Sequence, residues 1–223
     1  MKLGIITYNK KHKKTQDVLK GLNKRKFKDI TLLITKFKKI KKRKVFFKHR
    51  PNQFIGSHPI ALKKRYNLKI KKLNTKNIKN LDKILICGSG LISKKLLKNN
   101  KKIINCHSGL IPSSRGLDSF KWAIISSKKI GNTLHFIDKN VDLGKIISHK
   151  VTKLYKSDNL ISFAKRHYLN EINMLINFDK YIKTPNLIRL KKYKNTKRMP
   201  LNLEKKLDKI FLKYKNLFLK HHV

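Results

Sequence analysis

The chain has 223 residues, is 39% hydrophobic and carries a formal net charge of +47. Its length and apolar content allow one sizeable core, which excludes an intrinsically disordered chain. No apolar run reaches the roughly 18 residues of a membrane-spanning helix, and the basic N-terminus is not typical of a signal peptide. The two cysteines, Cys87 and Cys106, each lie near the end of an apolar run and are expected to be buried thiols. We therefore expect a cytoplasmic protein with no membrane partner.

The positive charge has two possible explanations. Dense lysine is typical of proteins that bind nucleic acids, but codon drift in an AT-rich genome also enriches Lys, Asn and Ile. Lysine is spread along the whole chain and far outnumbers arginine, the better phosphate ligand. This distribution favours drift. The charge should nevertheless attract anionic substrates to the protein.

The predicted elements alternate between strands and helices in chain order. Apolar runs predict strands over 2–8, 29–37, 81–90, 102–105, 132–138 and 145–154. Helical periodicity predicts helices over 15–24, 59–70, 91–100, 117–125, 158–182 and 203–220. For the long helix over 158–182 we expect Asp158 at the N-cap and an apolar stripe that starts at Ile161. The opening strand, helix and strand predict an α/β fold with a parallel sheet.

A long basic connection, residues 38–58, separates the second predicted strand from the second helix. Loops of this length inside a compact domain are usually functional. We therefore expect Arg50, Asn52 and Gln53 to contact a substrate.

Two predicted strands end in residues suited to a site, because ligands of open α/β sheets lie beyond the carboxyl ends of the strands. One strand ends in "ICGSG" (86–90), a turn that allows close approach of a ligand or is simply tight. The other ends in "NCH", where Asn105 and His107 are two residues apart and so point to the same side. An amide can stabilise an oxyanion and an imidazole can move a proton.

A carboxylate would complete this set, and Asp142 is the candidate, in a turn between two predicted strands. The chain has only 11 acidic residues, yet Asp118, Asp138 and Asp142 all fall in this region. Their retention in a lysine-rich sequence indicates a local need for carboxylates, although Asp before Gly is also common in ordinary turns.

Two segments together resemble the folate-dependent formyltransferase family. These are "NCHSGLIPSSRGLDSFKWAI" (105–124) and "GNTLHFIDKNVDLGKIISH" (131–149). The resemblance covers roughly residues 81–150. It implies a Rossmann-like, mostly parallel twisted sheet flanked by helices. On this basis we expect a catalytic α/β domain over 1–155, with a C-terminal helical segment over 156–223 packed on it.

The resemblance also implies roles for individual residues. Asn105, His107 and Asp142 become the catalytic trio, and 10-formyltetrahydrofolate becomes the formyl donor. No metal is expected. The donor is expected against Gly88, Ser89, Gly90, Leu91 and Ile92 and the turn that holds Asp138 and Val141. Further substrate contacts are expected from Ser108, Arg115, Gly116 and His135, although His135 could equally be a structural histidine and Arg115 merely exposed.

The resemblance does not identify the acceptor amine, because the chain departs from well-known members of the family. Glycinamide ribonucleotide transformylase has a glycine-rich phosphate loop after its first strand, where this chain has "TYNKKHKKTQDVL". Methionyl-tRNA formyltransferase has a C-terminal β-barrel domain, for which residues 183–223 are too few. A small phosphorylated or nucleotide-linked amine is the favoured acceptor, and methionyl-tRNA and glycinamide ribonucleotide are the alternative acceptors. A homodimer is the other partner considered. An inactive family member that binds nucleic acid is the alternative from a different class.

Overall fold

A mixed β-sheet lies at the centre of the described part of the chain. The computed structural model describes residues 1–37, 44–97, 103–137, 145–183 and 195–220. Within them, the seven-stranded sheet has the order β3-β2-β1-β4-β5-β6-β7. The strands are β1 Leu3–Tyr8, β2 Ile30–Thr35, β3 Lys69–Lys72, β4 Lys83–Ile86, β5 Ile103–His107, β6 Gly131–Phe136 and β7 Ile146–Val151. The first five are parallel, whereas β6 and β7 are antiparallel to their neighbours. The predicted α/β class with a mostly parallel sheet is confirmed.

Helices cover both faces of the sheet. They are α1 Lys13–Lys24, α2 Pro59–Tyr66, α3 Thr75–Ile78, α4 Lys94–Leu97, α5 Ser119–Ile125, α6 Leu160–Ile176, α7 Phe178–Lys183, α8 Leu201–Glu204 and α9 Leu207–Lys220. A 3₁₀ turn, Gln53–Ile55, lies in the connection after β2. None of these helices could cross a bilayer, since each is too short or too polar.

The main core lies between the sheet and the pair α1 and α6. Val18 and Leu22 of α1 and Ile172 of α6 belong to this buried cluster, which also contains Cys87 and Cys106 as free thiols. The two helices approach so closely that a Cβ at Gly21 would lie 2.1 Å from the Ile176 side chain. This contact holds the long helix α6 against α1. The predicted division into a catalytic domain over 1–155 and a helical segment over 156–223 remains a prediction.

A second core joins α5, α6 and α9 around a set of aromatic side chains. Phe163 of α6 lies 5.8 Å from Phe120 and 5.5 Å from Phe211, measured between ring centroids. The second core therefore holds the C-terminal helix α9 against α5, the helix that follows the predicted catalytic loop.

Several boundaries differ from the predictions. The helix predicted over 59–70 ends at Tyr66, because Asn67 adopts the left-handed conformation (φ 49°), and an edge strand follows. The helix predicted over 158–182 starts at Leu160, so its N-cap lies one residue later than expected. Asn159, not Asp158, is the N-cap, and its side chain accepts from the Ser162 amide. The helix breaks at Asn177, and Ile161 is 70% exposed, outside the expected apolar stripe.

Candidate active site

A large cleft lies at the carboxyl ends of β1, β4 and β5. It has a volume of about 1280 Å³, and Asn105, His107 and the turn over residues 88–92 line it. Residues 49–50 and 53–54 border it from the connection after β2, and residues 195–198 border it from the segment before α8. The site predicted from the two strand ends is therefore one continuous cavity.

Asn105 is oriented by a histidine on the neighbouring strand. It pairs with His135 in the β5–β6 register, and its Nδ2 lies 3.4 Å from His135 Nε2. His135 Nδ1 lies 3.1 Å from the Phe136 carbonyl, which can only accept, so Nδ1 carries the proton and Nε2 accepts from the amide. His135 is fully buried and does not line the cleft. The structure thus places it behind Asn105, where it fixes which amide hydrogen faces the cavity.

His107 is held by the loop that follows it. Its Nε2 lies 3.0 Å from the Ser114 carbonyl and 3.1 Å from Ser119 Oγ. A carbonyl only accepts, so the neutral imidazole carries its proton on Nε2. Ser119 Oγ accepts from that nitrogen and donates its own proton to the Gly116 carbonyl at 2.8 Å. Nδ1 is consequently the nitrogen that takes up a proton when the ring becomes cationic.

Gly109 makes this arrangement possible because a side chain there has no room. A Cβ at Gly109 would lie 2.4 Å from the Ser114 carbonyl oxygen and 3.0 Å from His107 Nε2. The loop is fixed from β6 by Thr133, whose hydroxyl donates to the Gly109 carbonyl at 2.7 Å and accepts from the Ile111 amide at 2.9 Å. The orientation of the imidazole therefore follows from backbone packing.

A buried histidine supports the loop from behind. His167 of α6 contacts Ser108 Oγ at 2.8 Å through Nε2 and Thr152 Oγ1 at 2.9 Å through Nδ1. Burial lowers the pKa of His167 from 6.5 to about 3, and the nearby Arg50 cation acts in the same direction while Glu171 opposes it. His167 is thus a neutral hydrogen-bonding group, and the Ser108 hydroxyl is directed towards it.

The turn after β4 forms the other wall of the cleft. Gly88, Ser89, Gly90, Leu91 and Ile92 all line it. Tyr8 supports the turn by donating to the Ser89 carbonyl at 2.6 Å, and a Cβ at Gly88 would lie 2.8 Å from Tyr8 and from His12. A Cβ at Gly90 would meet nothing within 4 Å, and Leu91 is 91% exposed. The wall therefore offers open backbone and an uncovered apolar side chain.

The loop before α2 reaches the cleft through a buried ion cluster. Glu171 of α6 is fully buried and contacts Lys14 Nζ at 2.5 Å and Arg50 Nε at 3.0 Å. Burial raises the pKa of Glu171, but the Arg50 and Lys14 cations outweigh it and lower the pKa to about 2. Gln53 Oε1 accepts from the Lys14 amide at 3.1 Å. The loop is thereby fastened over the N-terminus of α1.

Other predicted contacts fall outside the cavity wall. Asn52 caps the 3₁₀ turn by accepting from the Phe54 amide at 3.1 Å and does not line the cleft. Arg115 is buried and also does not line it, whereas the adjacent Gly116 does. Asp138, Val141 and Asp142 lie outside the described residues.

Sequence reasoning missed one wall of the cleft. Residues 195–198 form it, and Thr196 is bound to the backbone on both sides of Gly116: its amide donates to the Arg115 carbonyl and its carbonyl accepts from the Leu117 amide, both at 2.9 Å. No local pattern in this basic stretch marks it as part of a site. Sequence reasoning also missed Glu171, although an acidic residue among the apolar positions of an amphipathic helix was a detectable signal.

The sequence model of the Formyl transferase family matches residues 2–178. No curated protein sequence gives a significant match. Several solved structures share the fold at low sequence identity. Phosphoribosylglycinamide formyltransferase from Bacillus halodurans is 17% identical, with a TM-score of 0.58 over 82% of this chain and 96% of that one.

Two formyltransferases that were solved with sugar nucleotides are similar as well. The N-formyltransferase from Helicobacter canadensis, solved with folinic acid and dTDP-3-aminofucose, is 17% identical, with a TM-score of 0.59 over 85% of this chain and 67% of that one. The formyltransferase PseJ from Anoxybacillus kamchatkensis is 18% identical, with a TM-score of 0.52 over 85% and 82% of the two chains. It was solved with tetrahydrofolate and UDP-4,6-dideoxy-4-formamido-L-AltNAc.

Proposed function

The chain belongs to the formyl transferase family, and from that premise we propose that it transfers a formyl group from 10-formyltetrahydrofolate to a primary amine. The acceptor in this proposal is a small phosphorylated or nucleotide-linked molecule. One observation carries the proposal: Asn105 and His107 open into the same cleft as the glycine turn over residues 88–92. A proton-transfer and oxyanion site thus shares a cavity with a surface suited to a flat ligand.

The catalytic steps follow from the orientation of these two side chains. Attack of a neutral amine on a formyl carbonyl develops negative charge on the carbonyl oxygen. The amide hydrogen of Asn105 that does not face His135 donates to this oxygen, and a protonated His107 donates to it through Nδ1. Asp142, the third member of the proposed trio, accepts the proton that the amine loses and relays it to N10 of the donor. The bond from N10 to the formyl carbon breaks as the carbonyl re-forms, so tetrahydrofolate leaves with that proton and the acceptor keeps the formyl group. A single donor of this kind typically contributes about 2.7–4 kcal/mol of barrier lowering.

The donor is proposed to bind along the wall over residues 88–92. Open space at Gly90 lets a ring approach the backbone, and the exposed Leu91 gives it an apolar contact. Asp138 and Val141 remain proposed contacts of the donor. The ligands named for the Helicobacter and Anoxybacillus structures, folinic acid and tetrahydrofolate, support this choice of donor.

The acceptor is proposed to enter between the wall over residues 195–198 and the loop that carries Arg50 and Gln53, with Gly116 at the centre. The dTDP- and UDP-linked sugars of the same two structures support a nucleotide-linked amine. Ser108 is proposed to act on the acceptor indirectly, because its hydroxyl is directed to His167. Arg115 and Asn52 remain proposed contacts. A tRNA acceptor and a homodimer remain predictions.

Two measurements test the proposal. Folinic acid should raise the melting temperature of the wild-type protein and of His107→Ala alike. Formyl transfer to a panel of amines that includes dTDP-3-aminofucose should be lost in His107→Ala, by about 10²–10³ in turnover. His58→Ala is the matched control, since this histidine only caps α2. A wild-type protein that folinic acid does not stabilise would contradict the proposal and favour the alternative of an inactive RNA-binding protein.

A further inference from the structure

We infer that Arg50 binds a phosphate group of the acceptor, with Glu171 and Lys14 as the pair that positions it. The inference rests on the proposed function, because it names how the acceptor is recognised in the same cleft. It is carried by the geometry of a guanidinium that one buried carboxylate holds by one edge.

The carboxylate of Glu171 accepts hydrogen bonds from the inner edge of the Arg50 guanidinium, the edge formed by Nε and Nη2. Arg50 Nε donates to Glu171 Oε2 at 3.0 Å and Nη2 donates to Glu171 Oε1 at 2.9 Å, a two-point contact that fixes the plane of the guanidinium. Nη1 has no hydrogen-bond partner among the described residues, and Arg50, whose side chain is 35% exposed, lines the cleft. The outer edge of the fork is therefore available to a second oxyanion.

Lys14 makes this cluster attractive to an anion. Its ammonium contacts the same buried carboxylate, so two cations surround one anion and the cluster keeps a charge of +1. The neighbouring His12 adds no charge near neutral pH, because burial and the cations of Lys14 and Arg50 lower its pKa to about 4. The excess charge on this side of the cleft thus belongs to Arg50 and Lys14.

The N-terminus of α1 does not provide the phosphate site. Gln53 Oε1 occupies the Lys14 amide, and Gly56 packs so closely that a Cβ there would lie 2.5 Å from the Lys13 amide nitrogen. The chain covers its own helix end: the Lys14 amide is used internally, and Gly56 lies against the Lys13 amide where a phosphate would approach. The inferred anion ligand is instead Arg50, which lies in the same connection between β2 and α2 as Gln53 and Gly56.

Isothermal titration with inorganic pyrophosphate tests this inference, at about 0.15 M salt to suppress the general attraction of a highly basic protein. Arg50→Gln should weaken binding by about tenfold or more, as expected for a lost charge-assisted contact. Arg65→Gln removes the same charge from the exposed surface of α2 and should leave the affinity unchanged. Equal effects of the two substitutions would overturn the inference.

Glu171→Gln separates orientation from charge. It raises the net charge by one, so a purely electrostatic attraction predicts tighter pyrophosphate binding. Loss of the fixed fork predicts weaker binding, and tighter binding would refute the role of Glu171. Folinic acid binding, measured on the same proteins, reports separately on the proposed function: its absence in the wild type would reject the donor site, whereas the pyrophosphate series still judges Arg50.

Discussion

Acidification should expose the role of His167 as a buried neutral histidine. Its pKa is lowered from 6.5 to about 3, chiefly because burial disfavours the cation. Below pH 6.5 the unfolded chain therefore binds a proton that the folded protein refuses, and the free energy of unfolding falls with pH. The contribution is complete above pH 6.5 and is lost progressively towards pH 3.

The size of this effect follows from the two pKa values. Each pH unit below 6.5 costs about 1.4 kcal/mol while the folded imidazole stays neutral, so the loss is about 2 kcal/mol at pH 5. Glu171 does not contribute in this window, because its carboxylate begins to lose stabilisation only below its ordinary pKa of 4.5. His12 contributes in the same direction as His167, so only a difference between proteins isolates one histidine.

Urea unfolding of wild-type protein and His167→Asn at pH 7.5 and pH 5 provides that difference. The free energy of unfolding of the wild type minus that of the variant should be about 2 kcal/mol smaller at pH 5 than at pH 7.5. Phe163→Leu, a destabilising core change one turn away on α6 without a titrating group, should show a difference that is independent of pH. A stability difference between wild type and His167→Asn that stays constant with pH would mean that the folded protein protonates His167 normally, and the reasoning would be refuted.

Two further predictions concern the attachment of the C-terminal segment and the loop that holds His107. Lys121→Met should destabilise the protein by about 3–5 kcal/mol, because it leaves Glu204 buried without the ammonium that it contacts. Urea unfolding of the double variant Lys121→Met with Glu204→Leu should show that part of this stability is recovered. A double variant destabilised by the sum of the two single effects would contradict the pairing. Ser119→Ala should lower the turnover of formyl transfer by about tenfold and alter its pH profile, because Ser119 accepts a hydrogen bond from His107 Nε2. Ser119→Thr keeps the hydroxyl and should restore both the turnover and the profile. An unaltered pH profile in Ser119→Ala would show that the hydroxyl does not act through the imidazole.

Much of the sheet and half of the site could be predicted because they depend on local patterns. Apolar runs locate the strands, and the two-residue spacing of Asn105 and His107 places both side chains at one strand end. The edge strand Lys69–Lys72 escaped prediction, because its alternation contains a single apolar residue, Ile70. Charged edge strands protect a sheet from further pairing and leave little hydrophobic signal.

Long-range pairing explains what local patterns could not reveal. Arg50 and Glu171 are 121 residues apart in the sequence, and Thr196 pairs with Gly116, 80 residues before it (196 − 116 = 80). Periodicity gives the face of a helix but not the partner of a polar residue on that face. The sequence drew attention to the loop that carries Arg50, but only the fold shows that α6 supplies its counter-ion.

The scarce carboxylates explain more of the architecture than the abundant lysines do. Asp118, Asp158, Glu171 and Glu204 are all buried, and each contacts a cation. Glu204 and Asp118 act together: Glu204 accepts from Lys121, and Asp118 accepts from the Met199 amide at 3.0 Å. Both fasten the segment over residues 195–204 to α5, and so hold one wall of the cleft beside His107. The retention of acidic residues around the predicted catalytic motif therefore has a structural cause at Asp118, since losing this buried carboxylate to drift would remove the hydrogen bond that it accepts from the Met199 amide.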